Sequence, residues 1–293
     1  MSNLLPVLAI VFNALVWGVS WWPFHVLQGM GVHPLWATVL MYCVPLVGIV
    51  LVRPAMLREF ARPSDLWALL VVAGLTNTCF NWAITIGDVI RVVLLFYLMP
   101  AWAVLLAWWL LGERPTTMAI VRVVLALAGV ALVLQPAGQG WRLPLPSGMA
   151  DGLALVGGFM FAATNVLLSR SAVRHSPLAR VWAMFAGGAL LGGMVAGAAL
   201  LTHRYGVTPL PPLAAQWGLV VLAASAAFML SNTALQYGSA RLTAHAMSLI
   251  MLLEVVFATT SSAWAGAAHL TAQTALGGML VMSAAVLAAV SAH

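Results

Sequence analysis

The sequence predicts an all-α integral membrane protein: ten transmembrane helices in two inverted five-helix repeats, with both termini cytoplasmic. Three observations predict it. Of the 293 residues, 63% are hydrophobic and only 6% charged, whereas a soluble domain carries about 25% charged residues. Apolar runs of about 20 residues, the length a bilayer-spanning helix needs, recur along the whole chain. A polar phrase also returns roughly half a chain later, as NTCFNWAITIGD at 77–88 and NTALQYGS at 232–239.

The apolar runs lie at 4–26, 34–52, 65–86, 89–111, 118–135, 148–168, 178–201, 214–237, 242–265 and 272–291. The breaks between them carry Gly, Pro or charge. Even the longest, QPAGQGWRLPLPSG, leaves no room for a soluble domain. The chain therefore reads as a single membrane domain, with the first repeat in 1–140 and the second in 141–293. No Lys or Arg precedes Arg53, so the first run lacks the basic start of a signal peptide and reads as a retained helix. Cys43 and Cys79 fall inside apolar runs and read as free thiols packed as small hydrophobes.

All twelve basic residues are Arg. They sit between apolar runs and not on a solvated face, which points to membrane orientation and argues against nucleic acid as a partner. With a cytoplasmic N-terminus, Arg53, Arg58, Arg62, Arg114, Arg122, Arg170, Arg174, Arg180 and Arg241 lie inside. Only Arg91, Arg142 and Arg204 lie outside. That distribution obeys the positive-inside rule, and the opposite orientation violates it.

The echoed phrase ends the third run and again the eighth, so each half holds five spans. Five is odd, and the second half enters the membrane from the opposite side. Such inverted repeats are characteristic of many secondary transporters. VWGVSWW in the first run also resembles MFAATNV in the sixth, and PAWAVLLAWWLLG in the fourth resembles VVFATTSSAWAG in the ninth. Asn77-Thr78 against Asn232-Thr233 sets an offset of 155, and Gly87 against Gly238 sets 151, one helical turn apart.

Polar side chains at membrane depth are costly unless they face protein or water. Asn77, Asn81, Thr85 and Asp88 share one helix face, as do Ser225, Asn232, Gln236 and Ser239. Hydrogen bonding between helices is one reading of each stripe. Two matching stripes in an inverted repeat favour the other, a shared central cavity. The first run adds Asn13, Trp17, Ser20, Trp21 and Phe24, and the sixth adds Phe161, Thr164, Asn165 and Leu168.

Most tryptophans sit near run ends, where they anchor a helix at the interface. Trp17, Trp82 and Trp102 lie deeper and read as aromatic walls of the cavity. Pro23 and Pro100 each remove a backbone hydrogen bond and read as hinges; Leu98 beside Pro100 joins the cavity candidates. Arg91 reads either as an interfacial partner of Asp88 or as a carboxylate clamp at the outer mouth. Glu254 is the acid in the middle of a span. It reads as a neutral structural group, a proton carrier, or a ligand for a substrate amino group. His245, nine residues earlier, points the other way on a regular helix, so both line one cavity only if the helix breaks. The small-residue faces at Gly188/Gly192, Gly193/Gly197, Ala126–Gly129 and Gly277-Gly278 predict close helix packing.

H-E-x-x-H, G-x-S-x-G and a pair of intramembrane acids are all missing, and the seven His are scattered. The expectation is no enzymatic activity, no metal and no cofactor. The expected partners are a small-molecule substrate and the lipid bilayer; a monomer suffices, and the oligomeric state stays open.

The Trp17-Gly18 pair, the stretch FYLMPAWAVLLAWWLLGERPT, and Pro100 followed after eleven intervening residues by Gly112-Glu113 resemble the EamA family of the drug/metabolite transporter superfamily. The second half departs from that pattern: Val255 replaces the proline and Gly266-Ala267-Ala268 lacks the acid. The resemblance implies a small-molecule transporter of the bacterial inner membrane, often an exporter. At its finest it implies an aromatic amino-acid exporter of the YddG type.

Overall fold

The computed structural model describes residues 4–61, 65–111, 116–135, 145–171, 173–239, 241–242, 250–268 and 270–290. Among the described residues there are helices and no strand. In chain order these are α1 (Leu4–Gly18), α2 (Trp21–Gly29), α3 (Pro34–Val52), a 3-10 helix (Pro54–Phe60), α4 (Asp65–Ile86), α5 (Val89–Phe96) and α6 (Met99–Leu111). There follow α7 (Thr117–Leu134), α8 (Met149–Ser171), α9 (Pro177–Leu201), α10 (Ala215–Ser239), α11 (Leu253–Trp264) and α12 (Ala272–Val290).

Among the described residues, seven segments are long and apolar enough to cross a membrane: Leu4–Gly29, Pro34–Val52, Asp65–Ile86, Thr117–Leu134, Met149–Leu168, Pro177–Leu201 and Ala215–Gly238. The remaining three expected spans are shorter as described. The run at 89–111 is two helices, the run at 242–265 is described as helix only from residue 250, and the last run is apolar helix over Ala272–Leu287.

Two of the runs expected to be continuous are interrupted, and proline chemistry explains both. Pro23 has no N–H for the Val19 carbonyl; Trp22 N turns to that carbonyl instead at 3.1 Å, and α1 gives way to α2 at Val19-Ser20. Pro100 likewise has no N–H for Phe96 O. The chain tightens there, with Leu98 N on Leu95 O at 3.2 Å, and α5 passes to α6 through Tyr97-Leu98. A third interruption has no proline. At Leu252, just before α11, Val255 N bonds Leu252 O at 3.2 Å. Val255 is the residue that stands 155 positions after Pro100.

Helix starts follow from local polar groups. Asp88 caps α5 by accepting from Arg91 N at 2.9 Å. Thr116 caps α7 through Ala119 N at 3.2 Å, and Ser176 caps α9 through Ala179 N at 3.2 Å.

Packing follows the small residues. Gly187 of α9 lies so close to Gly74 and the Leu70 carbonyl of α4 that no Cβ fits there. Gly129 of α7 and Gly277 of α12 face each other in the same way. Gly188 sits against the Tyr42 ring, and Gly192 near Val39 and Leu35. The expectation of close packing at these stripes therefore holds. Gly197 is the exception, since a Cβ added there would meet nothing within 4 Å. In lipid, such close approach supplies the dispersion contacts that drive helix association.

The principal pairings are α4 with α8, α1 with α10, α4 with α9, α3 with α10, α3 with α9 and α7 with α12. In addition α1 packs on α11, while α8 packs on α5 and α6. Gly18 of α1 abuts the Glu254 carbonyl, and Gly158 of α8 abuts the Phe96 carbonyl. A glycine from a neighbouring helix therefore stands close to each of these interrupted stretches.

Candidate functional site

A cavity of about 70 Å³ lies between these helices. α1 contributes Asn13 and Trp17; α4 contributes Ala73, Thr76, Asn77 and Phe80. Phe96, Phe161 and Thr164 line it from α5 and α8. Met184, Asn232 and Leu235 come from α9 and α10, and Met251 and Glu254 from the interrupted stretch at α11.

Aromatic rings form its walls. Trp17 stacks on Phe228 with centroids 5.0 Å apart. On the other side Phe80, Phe96 and Phe161 follow one another at 4.6 and 5.2 Å.

The polar groups at the cavity are mostly held by the protein. Asn77 Oδ1 accepts from the Tyr42 hydroxyl at 2.9 Å, and its Nδ2 donates to Ala73 O at 2.8 Å. Asn232 Nδ2 donates to Phe228 O at 3.0 Å. Thr76 and Thr164 donate to carbonyls one turn back, each at 2.8 Å, and lie 3.3 Å from each other. Asn13 Nδ2 donates to Ser231 Oγ at 2.7 Å and to Ser231 O at 3.1 Å, while its Oδ1 is buried without a partner.

Glu254 is 8% exposed. Its Oε2 lies 2.8 Å from the Tyr97 hydroxyl, which also lies 3.3 Å from Met251 O. Tyr97 is at the α5–α6 interruption and Glu254 is beside the one at Leu252, so the two interrupted stretches meet through this pair. The carbonyl of Met251 is reached by Tyr97 where Val255 N has turned to Leu252. The second interruption thus has a tertiary hydrogen-bond donor beside it where the first has a proline.

The structure divides the sequence candidates. Trp17, Asn77, Phe161, Asn232 and Glu254 are brought together at the cavity. Asn81 is not: it is fully buried against α3, with Nδ2 donating to Thr38 Oγ1 at 3.2 Å and to Tyr42 Oη at 3.3 Å. It shares the stripe with Asn77, and Tyr42 Oη bonds both side chains, but of the two it is Asn77 that lines the cavity. Gln236 directly follows the lining residue Leu235 and accepts from Arg180 at 3.4 Å. Asn165 lies beside the α5–α6 interruption, with Nδ2 3.2 Å from Met99 Sδ.

Three of the aromatic candidates are corrected. Trp82 packs away from the cavity, edge-on to His33 and Tyr205. Trp21 follows the break in the first span, which turns it toward α11, where Nε1 donates to Ser261 Oγ at 2.9 Å. Trp102 follows the break in the fourth span and lines a separate, open apolar depression of about 420 Å³ with Leu105, Trp108 and Phe159. Leu98 is buried at that break and is not a lining residue.

Arg91 is corrected as well. Its guanidinium grips the carboxylate of Asp151 on α8 with two bonds, at 2.8 and 2.7 Å, and not that of Asp88. The Nη2 that bonds Asp151 also reaches Ser147 Oγ at 3.3 Å, and Nη1 donates to Val133 O. With its donors engaged this way, Arg91 ties α5, α7 and α8 together. His245 lies outside the described residues.

Tyr97, the partner of Glu254, is the residue of the candidate site that sequence reasoning missed. A signal existed: an acid at membrane depth needs a partner, and Tyr97 stands three residues before Pro100 in the span paired with that of Glu254. Phe80, Phe96, Met184 and Met251 gave no signal, because apolar residues in an apolar run do not reveal which face they line.

Residues 4–135 match the model of the EamA-like transporter family. The matched segment contains α1 to α7 and so one wall of the cavity, with Trp17, Asn77 and Phe96. The family match suggests a membrane transporter of small molecules, which agrees with the apolar membrane-length helices. Fifteen chains of solved structures resemble this one. One, a crystal structure described only as that of a protein, is 21% identical, covers 97% of this chain and 96% of its own, and has a TM-score of 0.58. At that identity the likeness shows a shared fold along nearly the whole chain. No curated protein matches the chain.

Proposed function

We propose that this protein is a secondary transporter of small metabolites, amino acids and aromatic ones among them, working by alternating access around the central cavity. A YddG-type exporter of the inner membrane of a bacterium is the finer form of this reading. The observation that carries it is the cavity itself: aromatic-walled, lined from both halves of the chain, and bordered by two interrupted stretches joined through Tyr97 and Glu254. Interrupted helices at a site between repeats are what alternating-access carriers use.

The packing supports ten spans in two inverted repeats. Exchanging each span for the one five places on turns α1 with α10 into α8 with α4, and α3 with α10 into α9 with α4. The α3–α9 and α7–α12 pairings map onto themselves. The positive-inside distribution supports cytoplasmic termini.

Counterflow in proteoliposomes, with a panel of amino acids, nucleosides and sugars, tests the reading. Saturable exchange of at least one class is expected. A flat response to every solute, with folded protein in the bilayer, would sink it. The open apolar depression beside Trp102 favours a second reading, a lipid flippase. Scrambling of a fluorescent phospholipid without solute exchange would decide for that.

A further inference from the structure

Resting on the transporter reading of the cavity, we propose that Asn13 and Glu254 form the ammonium-binding end of the substrate site. The cavity then takes a primary amine carried on an aromatic or apolar body. The argument starts from which hydrogen-bonding capacity is left over. The Nδ2 donors of Asn13, Asn77 and Asn232 and the hydroxyls of Thr76 and Thr164 all have acceptors within the protein. The acceptors are less fully used. Among the described residues, Asn13 Oδ1 is fully buried without a partner, and Glu254 brings a carboxyl group whose Oε2 is bonded by Tyr97. An ammonium group has three N–H donors and no acceptor, so it fits what remains.

The reverse polarity does not fit. No Arg, Lys or His lines the cavity among the described residues, and the nearby guanidinium of Arg91 is held by Asp151. A bare carboxylate would meet no cation there. The rings of Trp17, Phe96 and Phe161 supply faces for the organic body and for the cation.

The size of the cavity adds a conformational consequence. At about 70 Å³ it is far below the roughly 300 Å³ or more of a typical ligand pocket, so it widens to take a substrate. An ammonium at Glu254 draws on the carboxylate that Tyr97 reaches at Oε2, and turning the carboxylate toward the ammonium loosens that bond. Loosening it frees the α5–α6 interruption from α11. Substrate binding and opening are thereby linked through one shared carboxylate.

The test uses the full-length protein in lipid nanodiscs and isothermal titration with phenethylamine, L-phenylalanine and 3-phenylpropionate. Wild-type protein is expected to bind the two ammonium-bearing probes and not 3-phenylpropionate. Glu254→Gln keeps shape and hydrogen bonding but removes the charge, and weakens phenethylamine binding by at least about tenfold. Tyr97→Phe removes the competing donor and leaves phenethylamine binding equal or tighter. Equal affinity for 3-phenylpropionate, no binding of either ammonium-bearing probe by wild-type protein, or unchanged amine affinity in folded Glu254→Gln overturns the assignment. The wild-type selectivity alone decides the matter if Glu254→Gln does not fold. Counterflow of some other metabolite without amine binding overturns only the ammonium site. Amine binding without counterflow of any solute overturns the transporter reading.

Discussion

Asn13 on α1 donates through Nδ2 to Ser231 Oγ on α10 at 2.7 Å, a bond that joins residues 218 positions apart. On the other side of the cavity Thr164 of α8 lies 3.3 Å from Thr76 of α4. Ser231 is the residue 155 positions after Thr76, the offset of the echoed Asn-Thr pairs. Two polar links thus join helices that line the cavity.

Such bonds contribute modestly in a bilayer, because the separated helices find other partners. Ser231→Ala is expected to lower stability by about 1 kcal/mol, and the coupling with Asn13→Ala to be about 0.6 kcal/mol. A double-mutant cycle by reversible unfolding in micelles measures both. A coupling indistinguishable from zero would mean that the bond does not hold α1 to α10.

The α4–α9 crossing is the tightest test of the packing. A methyl at Gly187 meets Leu70 O and Gly74 N, so the two helices must part. Gly187→Ala is expected to cost about 1–3 kcal/mol and lower the yield of monodisperse protein. Gly197→Ala, with nothing within 4 Å of the added carbon, is the neutral control. Equal thermal midpoints for both variants would contradict the crossing.

Trp17 and Trp82 separate wall from scaffold. Trp17 lines the cavity, so Trp17→Leu is expected to change the order of preference among transported substrates. Trp82 packs with His33 and Tyr205, so Trp82→Leu is expected to lower all rates together by weakening the fold. Competition of labelled and unlabelled substrates in proteoliposomes checks this, and a reversed pattern would exchange the two roles.

Glu59, on the 3-10 helix, clasps the start of α9. Its carboxylate accepts from Ser176 Oγ at 2.6 Å and Ser176 N at 3.0 Å, with His175 Nδ1 at 3.2 Å. Burial raises its pKa, but the hydrogen bonds from Ser176 and His175 outweigh that and hold it below the ordinary value of 4.5. A depressed carboxylate stabilises the fold above its unfolded pKa and loses that contribution as pH falls through the folded pKa. The difference in thermal midpoint between wild type and Glu59→Gln should be full near neutral pH and shrink below about pH 4.5. A difference that does not change on acidification would mean the clasp is not ionic.

Topology is open to labelling. In a cysteine-free background, Arg58→Cys should react with an impermeant maleimide only from the cytoplasmic side, and Gln139→Cys only from outside. Labelling of residue 58 in intact cells would overturn the proposed orientation.

The sequence alone determined the membrane class, because a chain with 6% charged residues cannot cover a soluble surface. It also marked close contacts at Gly129, Gly188 and Gly277, which act through having no side chain whatever they meet, but not the approach of Gly187 to Gly74. Pro23 and Pro100 marked two interruptions for the same local reason, a missing N–H. Only the tertiary structure decided which polar residues face the cavity. Asn77 and Asn81 share one stripe and both bond the Tyr42 hydroxyl of α3, yet of the two it is Asn77 that lines the cavity. It likewise decided that the break before α11 arises without proline, with Tyr97 reaching Met251 O across the cavity. It also gave Arg91 to Asp151 and not to Asp88. Local pattern records what a residue lacks or prefers within its own helix, whereas the partner of a buried polar group is set by whichever distant helix packs against it.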